Sequence, residues 1–195
     1  MKLVENLLIG CALRKEARAL KEHLGRDLPV IVTGVGSQRT ARALKARFRQ
    51  GRPSLLLFTG TAGQLAPSLR LGEFVFPAQW RMENGTAFSA DKRMANSLRL
   101  QGWEVSGLGL TVPTPALRKG TRLELHRTTG AKVCDMESAA AMEIAASHQI
   151  PCLAPKIVSD TMDSDDLAFY YHFDDNMKKL GDCLKRLVQS LGAVS

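Results

Sequence analysis

Three acidic residues stand where an apolar run gives way to a turn or a helix, and together they have the makings of acid–base chemistry. Glu16 lies in Gly10-Cys11-Ala12-Leu13-Arg14-Lys15-Glu16-Ala17, just inside a helical pattern. Glu137 lies in Val133-Cys134-Asp135-Met136-Glu137-Ser138, where a strand delivers two carboxylates and a methionine to an Ala-rich helix. Asp160 closes Ile157-Val158-Ser159-Asp160-Thr161. Carboxylates in opposite protonation states can guide a weak nucleophile and neutralise a leaving group. Each acid also has a plainer reading: Glu16 as a solvated helix charge, Glu137 as a first-turn acid favoured by the helix dipole, Asp160 as a cap. Asp135 and Glu137, two apart, would share one face of an extended segment with Met136 opposite.

Two glycine turns accompany the acids. Thr33-Gly34-Val35-Gly36-Ser37 runs from a strand into a helix, and its backbone N–H groups can face an anion or a sugar hydroxyl. Arg39 stands where a dinucleotide fingerprint needs its third glycine, so no dinucleotide is implied, and Ser37 reads equally well as a helix cap. Thr59-Gly60-Thr61-Ala62-Gly63-Gln64-Leu65 ends a strand in small residues and hydroxyls that leave room for a ligand against the backbone. There is no Walker loop and no Ser-His-Asp order. His23, His126, His148 and His172 are scattered, and Cys11, Cys134, Cys152 and Cys183 form no CxxC pair, so neither a metal site nor a cofactor is expected.

The elements that must position these residues follow from periodicity. Apolar runs at Leu3 to Ile9, Val30 to Thr33, Leu55 to Thr59, Phe74 to Phe76, Val105 to Val112, Lys132 to Met136 and Cys152 to Val158 are mostly apolar on both faces, as buried strands must be. Helical spacing appears at Leu13 to Leu24, Gln38 to Phe48, Lys92 to Leu100, Glu137 to Ser147 and Asp174 to Leu191. This alternation predicts an α/β fold, one domain over residues 1–195, with a mixed, mostly parallel central sheet flanked by helices. Gly10, Gly34, Gly36, Gly60 and Gly63 are read as turns after strands, and Pro29, Pro53 and Pro151 as stops before them. The site should lie at the carboxyl ends of the strands.

The 45% hydrophobic and 24% charged composition excludes disordered and collagen-like classes. MKLVENLLIG is too short for a signal peptide or a membrane span, so a cytoplasmic protein is expected. The net charge of +8 favours phosphate, nucleic acid or anionic lipid as partner. The basic stretch Arg39, Arg42, Lys45, Arg47, Arg49 and Arg52 has little aromatic interleaving, with 6% aromatics in the chain, so a solvated face is expected and no nucleic acid.

Taken together these segments resemble the nucleoside phosphorylase superfamily, and within it the methylthioadenosine/S-adenosylhomocysteine nucleosidases. FTGTAGQLAPSLRLGEFVFP from Phe58 to Pro77 is similar to that branch's strand-loop-strand segment, Phe88-Ser89-Ala90-Asp91 to its Phe-x-Ala-Asp helix start, VCDMESAAA to its Val-Glu-Met-Glu-Ala segment and IVSDTMD to its Ile-Ser-Asp-x-x-Asp segment. The resemblance implies a purine nucleosidase, with Glu137 holding the ribose hydroxyls and Met136 packing on the sugar. It makes Asp160 the donor of a proton to N7 of the leaving base, which needs burial or a neighbouring charge to keep that proton on. Glu16 then positions and deprotonates water. Asp135, Ser159, Gly36, Thr59, Gly60, Thr61 and Gly63 join Met136 as substrate-binding residues. Where related phosphorylases carry an arginine to grip phosphate, Thr59 stands here, which implies water as nucleophile; Arg14 and Arg39 are the nearest candidates for a phosphate grip.

The chain departs from the family pattern after Leu24, where a hairpin is missing, between Pro77 and Phe88, and at Thr111-Val112-Pro113-Thr114-Pro115, where the family's base-stacking aromatic is absent. A shortened pocket with Asp135-Met136-Glu137-Ser138 is similar to the hopanoid-associated nucleosidases, which release adenine from adenosylhopane. The small-molecule partner implied is therefore an adenosyl nucleoside, with a bulky or lipid 5′ substituent. A basic surface near anionic membrane and a homo-oligomer, dimer or larger, are implied with it. Three alternatives stay open: a methylthioadenosine/S-adenosylhomocysteine nucleosidase, a phosphate-using purine nucleoside phosphorylase and a non-catalytic nucleoside binder.

Overall fold

The computed structural model describes residues 6–163 and 168–192, so Leu3, Val4 and Glu5 of the first expected strand lie outside the described residues. Strand β1 (Leu7–Cys11) is buried along its whole length and has parallel neighbours on both sides, β2 (Val30–Val32) and β3 (Leu55–Phe58). Strand β10 (Cys152–Leu153) extends this sheet beyond β3, giving the order β10-β3-β1-β2. A seven-stranded sheet runs β5 (Phe74–Val75), β11 (Lys156–Asp160), β4 (Thr61–Gln64), β9 (Val133–Asp135), β8 (Leu108–Thr111), β6 (Gln79–Met82), β7 (Ala87–Ser89). Pairing is parallel except at β11–β5, β4–β9 and β6–β7.

The two sheets share two pieces of chain. After β3 the backbone turns at Thr59-Gly60 and re-enters as β4, and after its neighbour β10 it turns at Ala154-Pro155 and re-enters as β11. Expected single strands at Leu55 to Thr59 and Cys152 to Val158 are thus cut short or split, because both step from one sheet to the other at the same level. The steps are tied together: the Thr59 hydroxyl donates to the Pro155 carbonyl at 2.9 Å, and the Ile157 N–H to the Gly60 carbonyl at 3.1 Å. Trp80, fully buried, donates its indole N–H to the Ala154 carbonyl at 3.1 Å. Gly60 turns with φ 137°, a region that strains any residue with a Cβ.

Helices α1 (Arg14–Leu24), α2 (Ser37–Arg49), α3 (Lys92–Leu100), α5 (Ser138–Ser147) and α7 (Phe173–Ser190) match the expected periodic segments to within a residue or two. The sequence pattern did not mark α4 (Lys119–Thr129) or the short α6 (Ala168–Tyr171), because α4 buries only Arg122 and so carries no apolar stripe. Gly10 and Gly63 lie inside β1 and β4 rather than after strands. A Cβ on Gly10 would sit 2.7 Å from the Phe58 ring, so close packing between neighbouring strands accounts for that glycine. Helix α5 is buried at Ala139, Ala140, Ala141, Met142, Ile144 and Ala145, its small side chains letting it nest between α2 and the strands. Helix α7 lies along α1, and Gly181 permits the approach, since a Cβ there would meet that of His23 at 2.6 Å.

Candidate functional site

The ends of β1, β4, β9 and β11 open into one cavity of about 470 Å³. Glu16, Glu137 and Asp160 all line it, with Met136, Asp135, Ser159, Thr59, Thr61 and Gly63. Gly36 and Gly60 do not line it but each serves an acid, Gly36 by donating its N–H to Glu137 and Gly60 by leaving space for Glu16. Residues separated by more than a hundred positions in sequence therefore meet around one volume.

Glu16 is 2% exposed and its placement comes from two elements. Its Oε2 accepts the Leu13 N–H at 3.0 Å, closing the first turn of α1. Its Oε1 accepts the Thr61 N–H at 3.1 Å and the Thr61 hydroxyl at 3.2 Å, both at the step between the sheets. A Cβ on Gly60 would lie 2.7 Å from Oε1, so glycine is needed there for space as well as for φ.

Glu137 is buried and its Oε1 accepts the Gly36 N–H at 2.7 Å, which uses one exposed donor at the start of α2. Ser37 is the first residue of α2, not its cap; its hydroxyl donates to the Met136 carbonyl at 3.1 Å, a second tie between the same two segments. Burial, then the negative charge of Asp135, raises the Glu137 pKa to about 7, with Lys156 and the Gly36 N–H pulling the other way.

Asp135 ends β9 and the chain bends at once, so Asp135 and Glu137 do not share an extended face as the spacing suggested. The Asp135 carboxylate accepts the Thr111 hydroxyl at 2.8 Å, the Glu137 and Ser138 N–H groups and the Ser138 hydroxyl at 2.5 Å. The Lys156 ammonium lies 3.2 Å from Oδ2, both side chains 2% exposed, and rests over the Phe58 ring at 4.7 Å. Its acceptors are taken up by the corner that carries Met136 and Glu137.

Asp160 reaches the cavity from a bulge in β11 opposite Gly63, an irregularity that re-aims a side chain. Its Oδ1 lies 2.6 Å from the Ser159 hydroxyl, and its Oδ2 is paired with Arg122 of α4. Arg122, only 3% exposed, also donates to the carbonyls of Ala116, Gln64 and Asp160. Burial pushes the thiols of Cys11 and Cys134 up to about 12, so both are protonated, poorly nucleophilic packing groups.

The sequence pattern missed Arg122 and Lys156, the two cations that line the cavity. A lysine inside an apolar strand is a legible sign of a buried, paired charge; Arg122 gave none, being one of several bases in a segment without stripe. Arg14 and Arg39 are exposed and line no part of the cavity. Val112, Pro115, Ala116 and Leu117 line the cavity with apolar surface in the segment where the sequence lacks the expected aromatic. Among the described residues no cluster of three His, Cys, Asp or Glu could hold a metal ion.

Residues 14–191 match the family model described as "Phosphorylase superfamily". The fold is similar to that of the Campylobacter jejuni 5′-methylthioadenosine/S-adenosyl homocysteine nucleosidase (TM-score 0.81, 16% identity, covering 95% of this chain and 99% of that one). It is similar likewise to the futalosine hydrolase of Helicobacter pylori (0.81, 16%, 97% and 99%). A putative nucleosidase of the first kind from Francisella philomiragia gives 0.83, 18%, 97% and 99%.

Proposed function

Because the chain belongs to the phosphorylase superfamily, we propose that its cavity hydrolyses the N-glycosidic bond of an adenosyl compound and releases adenine. The observation that carries this reading is the convergence of Glu16, Glu137 and Asp160 on one cavity, each held by a different pair of elements. Relatives in fold bear the names of methylthioadenosine/S-adenosylhomocysteine nucleosidases and a futalosine hydrolase, which agree with it.

Glu137 grips the ribose hydroxyls and Met136 packs on the sugar, while Asp135 serves by holding their corner. Glu16, steadied by Thr61, takes a proton from water as the oxygen closes on C1′. The C1′–N9 bond breaks with its electron pair passing to the base, which Asp160 and Arg122 face. Cleavage of this kind has oxocarbenium character, which nearby carboxylates stabilise. Water is preferred to phosphate because the Thr59 hydroxyl is occupied by Pro155, Lys156 is occupied by Asp135, and Arg14 and Arg39 stand off the cavity. Incubation with adenosyl compounds in phosphate-free buffer should yield free adenine and the free sugar; a strict phosphate requirement with a sugar 1-phosphate product would refute hydrolysis.

The finer reading is a bulky apolar 5′ substituent, such as that of adenosylhopane. Val35, Leu117 and Tyr170 line the cavity while remaining 38%, 54% and 65% exposed, an apolar rim that suits a large hydrophobic group. Exposed Arg39, Arg42, Lys45, Arg49, Lys178, Lys179, Lys185 and Arg186 would favour an anionic membrane surface, at up to about 1 kcal/mol each. No helix among the described residues is long and apolar enough to cross a membrane, so contact would be peripheral. A homo-oligomer, dimer or larger, belongs to the same reading. Preference for soluble methylthioadenosine over adenosylhopane, or cosedimentation indifferent to anionic lipid, would remove the lipid part.

A further inference from the structure

We propose that Lys156 is a positioning residue of the cavity: it answers the charges of Asp135 and Glu137, so that both stand as carboxylates side by side and the corner carrying Met136 keeps the shape that grips a sugar. The proposal rests on the nucleoside site above and deepens it. Lys156 opens β11 between Pro155 and Ile157, both buried, and an ammonium there has exchanged its water for whatever the fold supplies. Three groups supply it: Asp135 Oδ2 at 3.2 Å, the Phe58 ring at 4.7 Å and the Trp80 ring at 5.9 Å, the two rings fully buried. From that seat Lys156 lines the cavity.

Every group that meets Asp135 is a donor. Thr111 Oγ1 accepts the Ala139 N–H at 2.9 Å, which leaves its own hydrogen to point at Asp135 Oδ1, and that oxygen also takes the Glu137 N–H at 3.3 Å. Oδ2 takes the Ser138 N–H at 3.1 Å, the Ser138 hydroxyl and Lys156. A protonated Asp135 would turn a hydrogen against one of these donors, so the geometry calls for the ionised form. Glu137 follows two residues later, and burial and then the charge of Asp135 raise its pKa to about 7, with Lys156 and the Gly36 N–H working against them. Other charges around the pair add little help. Glu16 of α1 contributes further negative charge, and Lys15 beside it lies over the rings of Tyr170 and Phe173 and lines no part of the cavity. Burial pushes the thiols of Cys11 in β1 and Cys152 in β10 up to about 12, so both are neutral. Arg39 of α2 is exposed, and Arg122, the other cation that lines the cavity, is in contact with Asp160. Among the described residues that line the cavity, Lys156 is thus the cation set against Glu16, Asp135 and Glu137. Two buried acids this close titrate as a pair, and without a cation between them one must take a proton at higher pH.

The test follows the carboxyl carbons of Asp135 and Glu137 by 13C NMR through a pH titration, with no substrate present. Lys156→Met should make the pair take up its first proton about one pH unit or more above wild type, whichever of the two acids receives it. Because Lys156→Met strands a buried carboxylate, Asp135→Asn/Lys156→Met is also measured against Asp135→Asn; there Glu137 titrates alone and should again move up by about one unit. Lys156→Arg keeps the charge and should stay within about half a unit of wild type. Turnover adds a readout that a merely structural role would not move: KM of Lys156→Met should be about fivefold above wild type at pH 7 and converge on it by pH 9, as expected of a shift of about one unit. An unmoved Glu137 titration between Asp135→Asn and Asp135→Asn/Lys156→Met, or a shift in Lys156→Arg as large as that in Lys156→Met, overturns the proposal. If the titrations move as stated but no nucleoside is cleaved, the hydrolase reading fails and the assignment of Lys156 stands; if cleavage proceeds and the titrations do not move, the assignment alone falls.

Discussion

Glu137 and Asp160 line the same cavity in opposite electrostatic company. Glu137 stands buried near Asp135 and Glu16, answered by one backbone N–H and the cation of Lys156 at a remove, and its proton affinity rises. Asp160 has a guanidinium in contact and a serine hydroxyl 2.6 Å away. The two acids are therefore not interchangeable copies of one device. One wall concentrates negative charge, where on the reading proposed above hydroxyl donors and a developing cation would lie; the other carries a cation, where a leaving base would gain negative charge.

That contrast breaks most visibly at Glu16, the other acid of the negative wall. Glu16→Gln should lower kcat by about 10³-fold if it deprotonates water, and lower Tm as well, because the amide oxygen can still accept from Thr61 but the amide NH2 then faces the Leu13 N–H; a kcat change under tenfold would remove it from the chemistry. Glu137→Gln should raise KM by about 10- to 100-fold, each lost hydrogen bond to a charged group being worth about 1.5–3 kcal/mol. The same variant sharpens the contrast through pH. The folded-state pKa of Glu137 is raised to about 7, so the protonated folded form is favoured and this group's stabilising contribution is lost as pH rises through about 7. Glu137→Gln should therefore raise Tm more at pH 8 than at pH 5, and wild-type KM should climb as pH drops below about 7. A Tm gain equal at both pH values would show that the site does not strain this acid. Gly60→Ala should cost about 1–3 kcal/mol through its φ of 137°, and displace Glu16; unchanged denaturation would contradict the close approach. Smallest of all, Arg39→Ala should leave kcat/KM within about twofold and rates indifferent to added phosphate.

Much of this was legible before any coordinates. Strands buried on both faces and helices with striped faces declare themselves by period, which is why β3, α2 and α3 were found nearly to the residue, while β1 runs two residues further than the expected Ile9. Glu137 and Asp160 were visible because each follows an apolar run at an element boundary, whereas Glu16, behind Arg14 and Lys15, reads alone as a helix charge and stood out through the family resemblance. What escaped depends on through-space geometry. Gly60 reads as a turn but does not announce β4 directly after it, and Ala154-Pro155 looks like a strand interior, since only the partner strands reveal that both pieces leave one sheet for another. Helix α4 has no apolar stripe to announce it, so Arg122 stayed hidden although it touches Asp160. Asp135 looked like a ligand for the substrate by its neighbours in sequence, and only the structure shows its acceptors consumed by Thr111, Ser138 and Lys156.

The step between the sheets also provides a built-in reporter. The Thr61 amide hydrogen-bonds to Glu16 at 3.1 Å, a side chain 45 positions away. Its exchange with solvent deuterium consequently follows where that carboxylate is, and its chemical shift follows the carboxylate's charge. A single backbone resonance thus reports occupancy and protonation of the site without any label on a ligand.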